Sequence, residues 1–454
     1  MSETTTTRHR AKPSLFDREF RSLSIGAVSL CSMIAFEAIG VAAGMPAVAS
    51  ALDGMSLYAL AFAGTLAGSV VAMVWAGGDC DRHGPFRSMA LGMLLFAIGL
   101  LMAGLAHSML LLVAGRIVQG LGVGALGVAM YVAAARALPA ELHPRLFALF
   151  SSAWVVPAIV GPAISGWIVE QLGWRWLFLA VLLLLLPTAA LILPPLRGKS
   201  EPISTTRQSW RMLPWALLAS LSSVALALSA DAGMWMLLIV LAAVLAIVIS
   251  ATRLLPPGTL RMNRGLPTVI ALRGLNSSAF FLSEAFVPLW LHQQRGWSIT
   301  AAGLALTGGA LSWSLGSHLQ SRMIRETTRH GWLARGCLLL VLGIGACMAS
   351  VLGLLPEWCM LIGWSITGLG MGVSFPMLGV LTLKLAPREQ QGIYSSALQL
   401  SSALATSAAL AAGGLAFALL QEYMPTQAFV SVYALAGLFA AIAWVNAKRT
   451  LPAD

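Results

Sequence analysis

Long apolar runs separated by short polar segments make up most of the chain. They fall near 25–48, 56–78, 87–106, 109–135, 147–169 and 175–195, then, after the polar stretch RGKSEPISTTRQSWR, near 212–229 and 234–252. Six more follow near 266–291, 299–317, 332–354, 358–383, 393–419 and 428–447. A helix of about 20 apolar residues crosses the hydrocarbon core of a bilayer. In that solvent each backbone amide must be paired within its own segment, and Leu- and Ala-rich runs of this length can do so only as helices. The pattern therefore predicts an all-α integral membrane protein with about fourteen transmembrane helices, grouped six, two and six. Two six-helix bundles are expected at 25–195 and 266–447. A linker with two extra membrane helices fills 196–252, a cytoplasmic linker 253–265, and cytoplasmic tails 1–24 and 448–454. Dropping the 212–252 pair leaves every other assignment intact, so twelve spans with a surface hairpin is the competing count.

Composition sharpens this picture. Of 454 residues, 58% are hydrophobic and 10% charged, against about a quarter charged in soluble domains, which excludes a water-soluble protein. The net charge of +11 is dispersed between apolar runs rather than gathered on one face, so a nucleic-acid partner is not expected. With both termini inside, all but three of the 28 basic residues collect in the cytoplasmic segments, Arg273 among them beside Arg253, Arg261 and Arg264. Arg175 and Arg295 fall outside and Arg116 lies within a span. This alternation follows the positive-inside rule and places a multi-pass protein in a plasma membrane, such as a bacterial inner membrane. A secretory signal is the rival reading of the start, because Ala47-Val48-Ala49 mimics a cleavage site. The apolar stretch is too long for one and has Glu37 at its centre. Five scattered cysteines lack CxxC spacing, so neither a disulfide framework nor a metal site is expected, and no cofactor is called for.

The two bundles resemble each other. GRIVQGLGVG (115–124) leads to Arg136, Pro139 and Glu141, and GWSITGLGMG (363–372), displaced by 248 residues, leads to Lys384, Pro387 and Glu389. Glu37-Ala38 in the first span matches Glu284-Ala285 in the ninth run at a displacement of 247. Agreement at a fixed offset indicates internal duplication, although glycine patterns also recur in any tightly packed membrane helix. Transporters built from such repeats hold substrate near the midplane between the halves.

Four motifs carry a family resemblance. GGDCDRHGPFR (77–87) is similar to a GxxxDRxGRR loop signature through Gly77, Asp81, Arg82, Gly84 and Arg87. LVAGRIVQGLGVGA from Leu112 matches LxxxRxxQGxGaa at Arg116, Gln119, Gly120 and Gly122. PAIVGPAISG (157–166) resembles an antiporter signature, keeping Gly161, Pro162 and Gly166. FEAIGVAAGMP (36–46) is similar to a first-span signature, with Glu37 in its acidic position. On these residues the chain resembles a major facilitator superfamily transporter, within it the fourteen-span drug:proton antiporters. The resemblance implies secondary active, proton-coupled efflux by alternating access, driven by the proton gradient. It implies Glu37 as proton carrier, Asp81 with its loop as a conformational latch, and Gly161-Pro162 as an antiport element; Arg116, whose symmetry-related position holds Trp364, is expected from that asymmetry to tune proton release. Glu284 joins the proton-coupling set by pseudo-symmetry.

Physical reading of the residues runs beside this. Charges at the centre of a membrane helix are costly, so Glu37, Arg116 and Glu284 must face protein or water. Such a carboxyl can carry a proton, or it can belong to a permanent structural ion pair. Asp81 reads equally as a solvated turn residue, and Glu170, Asp231 and Glu422 read as solvated loop charges. Gln119, Trp154, Phe280, Phe281, Trp290, Trp313 and Trp364 are the polar and aromatic groups whose spans can line a cavity, though single rings more often face lipid. Two ionised acids with Arg116 leave that cavity near minus one, mildly favouring cations. The expected partners are a small hydrophobic substrate, protons and the bilayer, with the chain a monomer. Export of a native lipid or metabolite is the nearest alternative, and a transporter-like sensor the alternative of another class. An enzyme is not expected: the spans lack HExxH, GxSxG and clustered His or Asp.

Overall fold

The computed structural model describes residues 14–139, 142–197, 208–323, 329–387 and 390–451. Fourteen long helices account for nearly all of them. The first bundle holds α1 (Arg21–Ala51), α2 (Tyr58–His83), α3 (Pro85–Gly104), α4 (Met109–Ala137), α5 (His143–Gln171) and α6 (Trp176–Ile192). Next come α7 (Gln208–Leu228) and α8 (Met236–Leu254). The second bundle holds α9 (Leu266–Arg295), α10 (Ile299–Met323), α11 (Arg329–Val351), α12 (Trp358–Leu385), α13 (Gln391–Leu420) and α14 (Pro425–Asn446). Local sequence sets the breaks. Gly84, at φ +76°, lets α2 turn directly into α3, whose first turn opens with Pro85, and Ser108 caps α4 by accepting from the Leu111 amide at 3.3 Å.

Twelve of these helices are long and apolar enough to cross a membrane; α9 and α10 are the two below that threshold. In α9 the polar load includes Arg273, Asn276 and Glu284. The Gly265 amide donates to the Arg449 carbonyl at 2.8 Å, so α9 begins where α14 ends, on the side of the chain termini. We call this the terminal side and its opposite the far side.

Glycine pairs show the duplication as packing. Gly120 and Gly124 seat α4 on the α2 backbone at Thr65 and Ser69, where a Cβ would overlap the carbonyl oxygens. Gly368 and Gly372, each displaced by 248, seat α12 on α10 at Gly309 and Trp313 in the same way. Small residues allow this approach because dispersion between close backbones, rather than a hydrophobic drive, holds membrane helices together.

Among the described residues, three hydrogen bonds join the bundles in their far half. Tyr58 Oη donates to the Ala285 carbonyl, Ser407 Oγ to the Ala63 carbonyl at 3.1 Å, and the Thr300 amide to Glu170 Oε1 at 3.1 Å. Glu170 is thus not simply the solvated loop charge expected. It remains exposed but accepts from the first turn of α10, where unpaired amides and the helix dipole attract an anion. The extra helices pack outside the seam: Ala216 and Ala219 of α7 meet Val70 and Val74 of α2 and Leu400 and Leu404 of α13. Ser220 Oγ adds a bond to the Ala67 carbonyl at 2.6 Å, and α8, mostly exposed, flanks α7.

Arg273 departs from its expected place. It was assigned to the cytoplasmic segments, yet it sits two turns inside α9 and is 8% exposed. Its guanidinium is sheltered on the Phe375 ring, 3.0 Å from the centroid, which a planar, weakly hydrated cation tolerates better than an ammonium does.

Candidate functional site

In the first bundle Glu37 lies near the midpoint of α1, and Arg116 two turns into α4. Both are buried. Arg116 Nη1 donates to the Glu37 carboxylate and, at 2.9 Å, to Gln119 Oε1, while Nε donates to the Ala61 carbonyl of α2 at 3.2 Å. Gln119 Nε2 is enclosed without an acceptor. Three residues marked from the sequence therefore form one charge-neutral cluster across α1, α2 and α4. A proton and the guanidinium compete for the same carboxylate, so the pair can be opened by protonation.

The second bundle differs. Glu284 in α9 is partly exposed and makes no ion pair or hydrogen bond among the described residues. At the position equivalent to Arg116 stands Trp364, whose indole N–H donates to the Leu306 carbonyl of α10 at 3.4 Å. One turn from Glu284 on the same helical face are Phe280 and Phe281. Phe280 packs on Phe281, Trp313 and Trp364 at centroid distances of 5.3, 5.0 and 4.7 Å, and Trp313 on Phe375 at 5.3 Å. Four of the six aromatic candidates thus meet. Trp290 is buried instead under Arg295, 4.8 Å from its ring, near the far side, and Trp154 stands apart in α5, 44% exposed.

Arg273 changes the charge sum. Glu37 and Glu284 against Arg116 and Arg273 total zero rather than minus one, which removes the charge argument for cations. An arginine inside the 266–291 run was the available signal.

The antiporter motif lies between Glu37's helix and the other bundle. A Cβ on Gly161 would stand 3.5 Å from Ile39 and 3.7 Å from Phe36 of α1, whereas Gly166 rests on Thr300 of α10. Pro162 presents its carbonyl 3.4 Å from where a Cβ on Gly303 of α10 would stand. In the loop motif, Arg82 lies over Trp210 of α7 at 5.6 Å, and Gly77 faces open space. The Asp81 side chain falls outside the described set. Among the described side chains a buried acid here is Asp79, which accepts from Ser88 Oγ at 2.8 Å, contacts His83 Nδ1 at 3.0 Å and pairs with Arg87 at 3.6 Å. Matching the motif led to Asp81; the i,i+4 spacing of Asp79 and His83 was the overlooked signal.

A cavity of about 410 Å³ lies between α1, α5 and α6, lined by Ser29, Ser32, Phe36, Pro157, Pro187 and Thr188 among others. Beside it α5 and α6, each with proline inside the helix, scarcely touch.

Comparison with known proteins agrees with this architecture. A probable multidrug-efflux transporter of Mycobacterium tuberculosis is 28% identical over 359 residues, covering 74% of each chain. The multidrug transporter protein MdtP of Bacillus subtilis is 23% identical over 376 residues, covering 79% of this chain and 68% of its own. Among solved structures, a POT family transporter in complex with a thioalcohol-conjugated peptide superposes with a TM-score of 0.71 at 17% identity, covering 94% of this chain and 96% of that one. A D-xylose-proton symporter gives 0.67 at 15%, covering 95% and 98%; at such identity these two speak for the fold alone. The family model of the Major Facilitator Superfamily matches residues 25–410, and the chain, a multi-pass membrane protein, belongs to that superfamily of transporters.

Proposed function

We propose that this protein is a proton-coupled exporter of hydrophobic small molecules, working by alternating access in a bacterial inner membrane with both termini cytoplasmic. The observation that carries the reading is the buried Glu37–Arg116–Gln119 cluster, set against Glu284 across the interface, which has no partner among the described residues. Protonation of Glu37 releases Arg116; deprotonation restores the pair. Each state changes what the α1–α4 wall offers a ligand, and that difference in affinity is what exchange requires. The multidrug-efflux relatives support export as the direction of transport and drugs as the substrate class. On this orientation the far-side bonds seal the external face, and the Asp79 loop on the terminal side is a candidate latch alongside Asp81.

The test is substrate movement in vesicles under an imposed pH gradient. Glu37→Gln is expected to fold and to lose gradient-driven export. Wild-type rates in that variant would remove Glu37 as carrier. A second reading, export of a lipid-like native compound, is favoured by the cavity between α1, α5 and α6, whose neighbours Val156 and Leu184 are 65% and 55% exposed toward the bilayer.

A further inference from the structure

Arg273 has a donor set that none of the described residues completes. Its Nη1 donates to the Phe375 carbonyl at 2.9 Å, its Nε is enclosed without an acceptor, and no carboxylate lies within ion-pair distance among the described residues. With Nη1 engaged, the edge left without a partner among the described residues is Nε–Nη2, the geometry that receives a carboxylate side-on through two parallel hydrogen bonds. The side chain is more than nine-tenths buried, and Tyr131 of α4, in the other bundle, lies within electrostatic range. The group therefore sits at the interface between the halves.

The surroundings define the rest of a ligand. Arg273 and Glu284 share one face of α9, eleven residues and about 16 Å apart at 1.5 Å per residue. Between them the rings of Phe375, Trp313 and Phe280 follow one another in edge contacts; Phe280 is buried in this closed packing, and an aromatic wall of this kind meets a flat apolar body where the halves part. A buried guanidinium held there without an acid is costly in membrane, and a ligand anion offsets that cost.

We propose that the Nε–Nη2 edge of Arg273, with the Phe375–Trp313–Phe280 rings, forms a subsite for an aromatic or otherwise hydrophobic compound bearing a carboxylate. This rests on the transport reading of the same interface and names its substrate class: amphipathic acids or zwitterions rather than lipophilic cations. A zwitterion would set its positive group toward Glu284.

The test uses three probes with one naphthyl body and a carboxylate, a carboxamide or a trimethylammonium group. Dissociation constants are measured for the purified full chain in nanodiscs of zwitterionic lipid. Wild type is expected to bind the carboxylate at least tenfold more tightly than the amide, with the ammonium weakest. Arg273→Gln should bring carboxylate and amide to equal affinity while still binding the body, and Phe280→Ala should weaken all three alike. Should Arg273→Gln not fold, the wild-type ranking decides by itself. Equal binding of acid and amide by wild type, or a tenfold preference kept in Arg273→Gln, overturns the subsite. Carboxylate binding that vanishes when anionic lipid is added assigns the edge to a headgroup and overturns the substrate class. Because the assay reads binding, it separates from export: selective binding without gradient-driven movement would refute the transport reading and leave the subsite standing.

Discussion

The two bundles share a scaffold and differ in chemistry. Gly120 and Gly124 recur as Gly368 and Gly372 and seat their helices on equivalent neighbours. Even the side chain that follows the pattern is used alike: Arg116 donates to a carbonyl of α2, and Trp364, at the equivalent position, donates to a carbonyl of α10. What differs is the charge. The first bundle holds its acid against its arginine, whereas the second keeps Glu284 and Arg273 three helical turns apart with aromatic rings between. Backbone contact tolerates only small residues and is therefore preserved between halves, while a buried charge is set by what each half must bind. One half neutralises itself; the other leaves two charges for something else to meet.

The comparison breaks most readily at Arg116. Removing one partner of a buried pair strands the other, so Arg116→Gln should lower stability by about 3–5 kcal/mol, and Glu37→Gln in the same chain should restore most of it. Arg273→Gln loses one hydrogen bond and the stacking on Phe375 but strands no acid, so its cost should be nearer about 1–2 kcal/mol. Melting curves of the three variants check this. Equal losses at the two arginines would mean that Arg273 has an acidic partner after all.

A smaller effect is expected where the halves meet. Glu170 contributes a carboxylate at the start of α10, a contact worth about 0.3–1 kcal/mol at an exposed helix end. Glu170→Gln should therefore lower the ratio of far-side-closed to open molecules by about two- to fivefold while leaving stability nearly unchanged. Distances between spin labels on α5 and α10 report that population. An unaltered distribution would reduce the contact to surface decoration.

Much of this was legible before the structure. Helix number, the six-two-six grouping and the glycine repeat follow from run length and spacing, because the bilayer imposes both. Glu37, Arg116 and Gln119 stood out as polar residues inside apolar runs, and they meet. Arg273 bore the same mark but was grouped with its basic neighbours in the linker; sequence does not show that a ring shelters it within α9. The motif points to Asp81 rather than to its neighbour Asp79, and only packing reveals that Asp79 is buried. Of the aromatics, Phe280 and Trp313 meet while Trp154 stays apart, a distinction of helical rotation that composition does not carry.

The central claim is that Glu37, though paired with Arg116, exchanges a proton, and that Glu284 does so separately. Infrared spectra of the purified protein across pH, for wild type, Glu37→Gln and Glu284→Gln, read the protonated carboxyl band of each acid. Two bands should grow in on acidification of wild type, one absent from Glu37→Gln and the other from Glu284→Gln. Spectra of Glu37→Gln identical to wild type at every pH would show a permanently ionised, structural pair and contradict the account.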